Sequence, residues 1–299
     1  MNLSQARRLN VLWHPVLMLM GATFLVPLFF MFSTALSDPA RAMRATDSIL
    51  DMLWPKDWRW ENFAEVWRLV PFLRYYANSL IIAVAVTTGQ VFTSACAAYA
   101  FSRLQWPGRD KVFLAYLATM MVPNAVTMIP NFMAMKLLPE WLSALLPGVD
   151  WMAMRYLGTN EGATPVGRLV GLDSYFALMI PGMFSAYGTF LDEAAKIDGC
   201  TYWGIFRHVI LPLSLPGLAT LTIFTFMGNW GSFLWPLVVT NQTYLRTLPV
   251  GLQAFQGQYG TEWHLMMAAA LLMLLPILIV FLIGQRFFIQ GLTIGGVKG

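Results

Sequence analysis

Charge is what this sequence has least of. Asp, Glu, Lys and Arg make up 11% of its 299 residues, while 58% are hydrophobic. An ordinary soluble domain carries about 25% charged residues. A water-soluble globule is therefore excluded, and a polytopic membrane protein is the class that remains. The few charges are also unevenly placed. None falls inside the six apolar stretches 11–36, 77–101, 112–135, 175–191, 209–240 and 265–285, each approaching the ~20 residues that cross ~30 Å of hydrocarbon. Ionisable groups at membrane depth usually mark ion and proton pathways, so their absence argues against a proton-coupled carrier.

Other shortages narrow the class further. The two cysteines, Cys96 and Cys200, fall in the second stretch and in a polar loop, which leaves no disulfide to expect; both read as packing residues. No G-x-x-x-x-G-K-[ST] segment occurs, so the chain builds no P-loop nucleotide site of its own. If it works uphill, another subunit hydrolyses the ATP. The three histidines, His14, His208 and His264, lie on three separate segments. A membrane enzyme acting on lipid-linked sugars needs acid-base or metal-binding groups gathered near one face. No catalytic or metal-binding set is assigned, and such an enzyme and a passive channel remain as rival readings.

Turning to what is present, the first apolar stretch follows a short Arg-containing leader but outruns the 7 to 15 residues of a signal-peptide core. It reads as a retained first span. If both termini are cytoplasmic, Arg7, Arg8, Arg103, Arg109, Lys111, Lys196, Arg207, Arg286 and Lys298 outnumber Asp110, Asp192, Glu193 and Asp198 on the inside, as the positive-inside rule requires. The outer loops are then 37–76, 136–174 and 241–264, with a cytoplasmic loop at 192–208. Among the prolines that enter the spans are Pro123, Pro130, Pro181, Pro212, Pro216, Pro236 and Pro276. Each interior one removes a backbone hydrogen bond and bends its helix, although proline is common in transmembrane helices generally.

The polar loop between the fourth and fifth stretches reads DEAAKIDGCTYWGIFRHVILPLSLP from Asp192 to Pro216. Asp192 and Glu193 complement the positive end of a short helix, and Gly199 supplies a left-handed turn that ends it. Thr201 is placed to cap a second helix whose Tyr202, Trp203, Ile205 and Phe206 give it an apolar face before Pro212. The pattern predicts a small knob on the cytoplasmic side. An interfacial loop with aromatic anchors would look similar.

Glu193, Ala194, Ala195, Asp198 and Gly199, followed by Pro212 and Pro216, resemble the EAA loop of the permease subunits of binding-protein-dependent ABC importers. WPKDWRWENFAEVW (54–67), NSLIIAVAV (78–86), AAYAFSRLQWPGRDKVF (97–113), LPVGLQAFQGQYGTEW (248–263) and QRFFIQGLTIGGVKG (285–299) are similar to the carbohydrate branch, in the subunit like the second permease of the maltose importer. Three features depart from that pattern: the approach to the EAA run is shorter by about eleven residues, or roughly 16 Å if helical, 139–171 is long, and Gly231 and Ser232 stand where an acidic residue is frequent.

The resemblance implies an all-α membrane protein with six transmembrane helices, both termini cytoplasmic, as one permease domain in the inner membrane. It implies a heterodimer with a second permease, a dimeric ABC ATPase that binds the ATP and Mg, and a periplasmic or lipid-anchored solute-binding protein that delivers a carbohydrate. No cofactor in this chain and no nucleic-acid partner are expected. Glu193, Ala194, Ala195, Asp198, Gly199, Tyr202, Trp203 and Phe206 would meet the ATPase, and Gly295, Gly296, Val297, Lys298 and Gly299 would form a tail reaching toward its interface. Gln256, Gly257, Gln258 and Tyr259 would touch the binding protein. Asn229, Trp230, Ser232 and Phe233 could line a sugar path, since aromatic faces stack on sugar rings while amides and hydroxyls bond them; helix packing and an interfacial aromatic belt are the competing reading.

Overall fold

The computed structural model describes residues 3–42, 54–55, 57–119, 121–123, 126–130, 132–133, 199–240, 243–257 and 260–294. Helices dominate. Among the described residues the main ones, in chain order, are α1 (Leu3–Ala35), α2 (Pro39–Ala42), α3 (Glu61–Leu69), α4 (Phe72–Arg103), α5 (Arg109–Thr119), α6 (Tyr202–Leu213), α7 (Leu215–Trp230), α8 (Leu234–Val239) and α9 (Trp263–Ile294). A two-residue hairpin pairs β1 (Gln256–Gly257) with β2 (Gly260–Thr261).

Among the described residues, three helical segments are long and apolar enough to cross a membrane: Trp13–Ala35, Phe72–Arg103 and Trp263–Gln285. They answer to the first, second and sixth expected stretches. A fourth crossing arises if Tyr202–Leu213 and Leu215–Val238, bent by 77°, are taken together. In the expected third stretch, α5 ends at Thr119, and a turn at 121–123 precedes helical residues at 126–130. The expected fourth stretch, 175–191, and the loop 136–174 lie outside the described residues.

Two boundaries differ from the sequence reading. α4 begins at Phe72 rather than at 77, because the polar Arg74, Tyr75 and Tyr76 continue the helix past the apolar run. The fifth stretch is not one continuous helix: a turn falls at Ser214, so 209–213 belong to α6 and the apolar run continues in α7.

The chain divides into two compact units. One comprises Met1–Leu73 with Gly251–Leu275. Here the last carbonyl of α1, which a helix leaves without an internal partner, and that of Ser37 just beyond it are met by α3: Asn62 Nδ2 donates to the Ala35 oxygen at 2.8 Å and the Ser37 oxygen at 3.0 Å. Arg59 pairs with Asp38 at 2.8 Å. Phe32 packs edge-on against Trp58 and Trp60, and Trp60 stacks on Phe63. The segment 37–76, expected as a loop, is thus partly helical and tied to the end of α1.

The other unit comprises Arg74–Val250 with Pro276–Gly299. Its interior joins α4 to α7 through an amide pair, Asn229 Nδ2 donating to Gln90 Oε1 at 3.0 Å. Trp230 is buried, stacked on Phe226 and edge-on to Tyr76. Gly284 of α9 faces Ile223 of α7 so closely that a Cβ there would overlap Ile223 Cδ1 and lie 2.8 Å from Cγ1. Small residues at such crossings let helix backbones approach.

Candidate functional site

The site grows from one glycine. Gly199 has φ +81°, a left-handed backbone that a side chain makes costly. It turns the chain into Thr201, whose extended backbone (φ −71°, ψ 162°) places its hydroxyl to accept from the Gly204 N–H at 3.2 Å. That bond satisfies one of the donors a helix start leaves open, and α6 begins at Tyr202. Both features are as the sequence predicts.

Prolines shape the rest of this arm. Pro212 has no N–H to give, and ahead of it α6 widens to a π turn over Phe206–Ile210, with the Leu211 N–H donating to the Phe206 carbonyl. The helix stops at Ser214, whose hydroxyl donates to the Ile210 carbonyl at 2.8 Å. Pro216 lies in the first turn of α7, where a missing N–H costs nothing. Two prolines and a serine thus set the sharp bend between arm and span.

The arm has two faces. Ile205, Phe206 and Ile210 are buried in a cluster with Ala95, Ala98 and Tyr99 of α4 and Leu218 and Leu221 of α7. The Tyr99 ring packs 5.2 Å from that of Phe206, and its hydroxyl donates to the Tyr202 carbonyl at 3.0 Å. On the other face, Tyr202 and Trp203 are 60% and 57% exposed, with Arg207 and His208 beside them. His208 Nδ1 lies 3.1 Å from the Gly204 carbonyl, so one ring nitrogen is engaged by the arm's own backbone. An arm packed along one side and open along the other can transmit a push. Its apolar groove of about 480 Å³, bordered by Phe92, Trp203, Phe206 and Leu218, has few of the convergent polar groups that a sugar needs.

The other predicted residues fall in several places. Glu193, Ala194, Ala195 and Asp198 lie outside the described residues, as do Gln258, Tyr259 and the tail Gly295, Gly296, Val297, Lys298 and Gly299. Gln256 and Gly257 form the exposed strand β1. Asn229 and Trp230 are packed at the end of α7, whereas Ser232 and Phe233 sit in the break before α8, Ser232 half-buried and Phe233 exposed. The proposed sugar-path residues are therefore split, two in the helix interior and two at its open end. Sequence reasoning missed Gln90 and Tyr99. Gln90 had a signal, an amide in the middle of an apolar stretch; Tyr99 had none.

Residues 90–294 match the family described as the binding-protein-dependent transport system inner membrane component. The chain belongs to this family. Among its relatives, the arabinooligosaccharides transport system permease protein AraQ of Halalkalibacterium halodurans is 33% identical, over 75% of this chain and 74% of its own. The AraQ protein of Bacillus subtilis is 28% identical over 94% and 93%. The sn-glycerol-3-phosphate transport system permease protein UgpE of Pectobacterium atrosepticum is 29% identical over 96% and 97%. A chain of a bacterial ABC transporter involved in the import of the acidic polysaccharide alginate shares the fold, with TM-score 0.73 and 21% identity over 96% of this chain and 99% of that one. For this permease family member, the matched stretch contains the whole arm, all of α7 and the part of α4 that packs on the arm.

Proposed function

We propose that this chain is the transmembrane permease subunit of an ATP-driven importer and that, with a second, similar permease, it forms the pathway for a carbohydrate or sugar derivative. The observation that carries the reading is the arm: a left-handed glycine, a capped helix, one face bound to α4 and α7, and an open face of Tyr202, Trp203 and Arg207. Family membership and relatives named for arabinooligosaccharides and sn-glycerol-3-phosphate support the transport class and the sugar-like cargo. The arm faces the cytoplasm and meets a dimeric ATPase, which binds ATP and Mg; this chain performs no catalysis. A solute-binding protein, periplasmic or lipid-anchored, delivers cargo to the outer loops, including 241–264. With six spans in the cytoplasmic membrane, both termini lie on the cytoplasmic side.

Closure of the ATPases pushes the arm as a lever and rocks the spans between inward-open and outward-open states. The test is the lever's turn. Gly199→Ala costs on the order of 1 kcal/mol locally, and Gly199→Val more, through the left-handed backbone penalty. The expected result is a complex that inserts normally but loses its ATPase on purification or hydrolyses ATP without transport. Wild-type transport by Gly199→Val with the ATPase fully bound would remove the arm as the coupling site.

A further inference from the structure

The helix α4 carries a second set of latches at the end away from the arm. Asn78 Nδ2 donates to the carbonyls of Tyr244, at 2.9 Å, and Arg246, at 3.1 Å. The hydroxyl of Ser79 accepts the Leu248 N–H at 2.7 Å, and the Arg74 guanidinium lies 4.9 Å over the Tyr244 ring. These contacts all grip one segment, 244–248, the start of the loop that leads into the β1–β2 hairpin. At its far end α4 holds the arm through Tyr99, by the hydroxyl bond to the Tyr202 carbonyl and the ring contact with Phe206. Asn78 and Tyr99 are about 32 Å apart along an unbroken helix rising 1.5 Å per residue. That matches the ~30 Å depth of the hydrocarbon core.

We propose that Asn78 and Tyr99 are positioning residues at the two ends of one strut, by which α4 carries the state of segment 244–248, the start of the 241–264 loop, to the ATPase-facing arm. The inference rests on the proposed function, in which that loop receives the binding protein and the arm meets the ATPase. Helices transmit displacement well because their hydrogen bonds lie within the element, and a packed interface shifts between discrete arrangements instead of deforming smoothly. The side chain–backbone bonds matter here because they fix position along the helix axis. Apolar packing alone, as at Ala95 and Ala98, permits sliding.

The experiment uses the full complex of both permeases, ATPase and binding protein in lipid nanodiscs, with ATP hydrolysis read with and without cargo-loaded binding protein. Tyr99→Phe removes one oxygen and keeps the ring; Asn78→Ala removes both donors to the loop. Each is expected to lower the ratio of stimulated to basal hydrolysis roughly fivefold, the low end of ordinary coupling between two sites. In Tyr99→Phe the binding-protein concentration at half-maximal stimulation stays as in wild type, since that variant leaves the docking loop and its anchors untouched. In the double variant the loss matches that of the worse single variant, because breaking one strut twice adds nothing; independent defects multiply. An unchanged ratio in Tyr99→Phe, or multiplied losses in the double variant, overturns the strut. A wild-type complex with no stimulation at all overturns the functional reading instead, so the two failures are told apart.

Discussion

Asn229, a sugar-path candidate in the sequence, is held in a buried amide pair. Both hydrogens of its amide are engaged, one by Gln90 Oε1 and one by the Thr225 carbonyl, and the residue is buried. Asn229→Leu would take one hydrogen-bond donor from the Gln90 carbonyl in an apolar interior, at a cost of up to about 1–3 kcal/mol. Adding Gln90→Leu removes both partners and should recover most of that loss, since replacing both ends of a buried bond by apolar groups is close to neutral. Thermal unfolding of the detergent-solubilised protein should show a lower midpoint for Asn229→Leu and a midpoint near wild type for the pair. A midpoint equally depressed in the double variant would mean that the amides do more than satisfy each other.

Among the elements, the close crossing of α7 and α9 is set by the absence of a side chain at Gly284. A Cβ there meets the terminal carbons of Ile223, and overpacking of this kind costs about 1–3 kcal/mol. Gly284→Ala should therefore weaken assembly modestly and Gly284→Leu more. Ile223→Ala in the same chain should relieve the alanine variant, because it clears the atoms in conflict. Detergent-resistant folding, followed by protease protection, measures both. Rescue failing while Ile223→Ala alone is tolerated would show that Gly284 serves something other than this crossing.

The elements also show what could be read beforehand. Long uncharged runs give α1, α4 and α9 directly, since a bilayer admits only helices or closed barrels. Gly199 and Thr201 were legible because their chemistry is local: a left-handed turn and a cap each need one residue type within a few positions. The bend at Ser214 was not placed, for Pro212 and Pro216 both permit a break and the choice is made by the π turn and by packing on α4 and α7. Asn62, Asn78 and Tyr99 were unreadable in their roles. Their partners lie far away in sequence, and no local pattern announces a bond to a distant carbonyl.

Over the whole molecule, the reading predicts that events at the loop leading to the β1–β2 hairpin reach the arm only through the folded chain, so damage to that loop should spare the ATPase's own chemistry. β1 is two residues long, with Gln256 facing Thr261 and Gly257 facing Gly260, and both described residues of β1 are exposed. A ladder so short contributes little to stability, whereas its polar, flexible composition suits contact with a partner's cleft. Replacing Gln256–Tyr259 by a Gly-Ser run of equal length keeps a turn-forming backbone and removes every side chain offered to the binding protein. Transport stimulated by the binding protein should fall well below wild type while basal ATP hydrolysis and subunit assembly hold, because the arm, its cap at Thr201 and its hold on Tyr99 are untouched. The half-maximal binding-protein concentration should rise, which distinguishes this docking defect from Tyr99→Phe, where it stays fixed and the maximum falls. Parallel loss of basal and stimulated activity would instead mark the hairpin as a folding element, and the contact with the binding protein would have to be sought elsewhere.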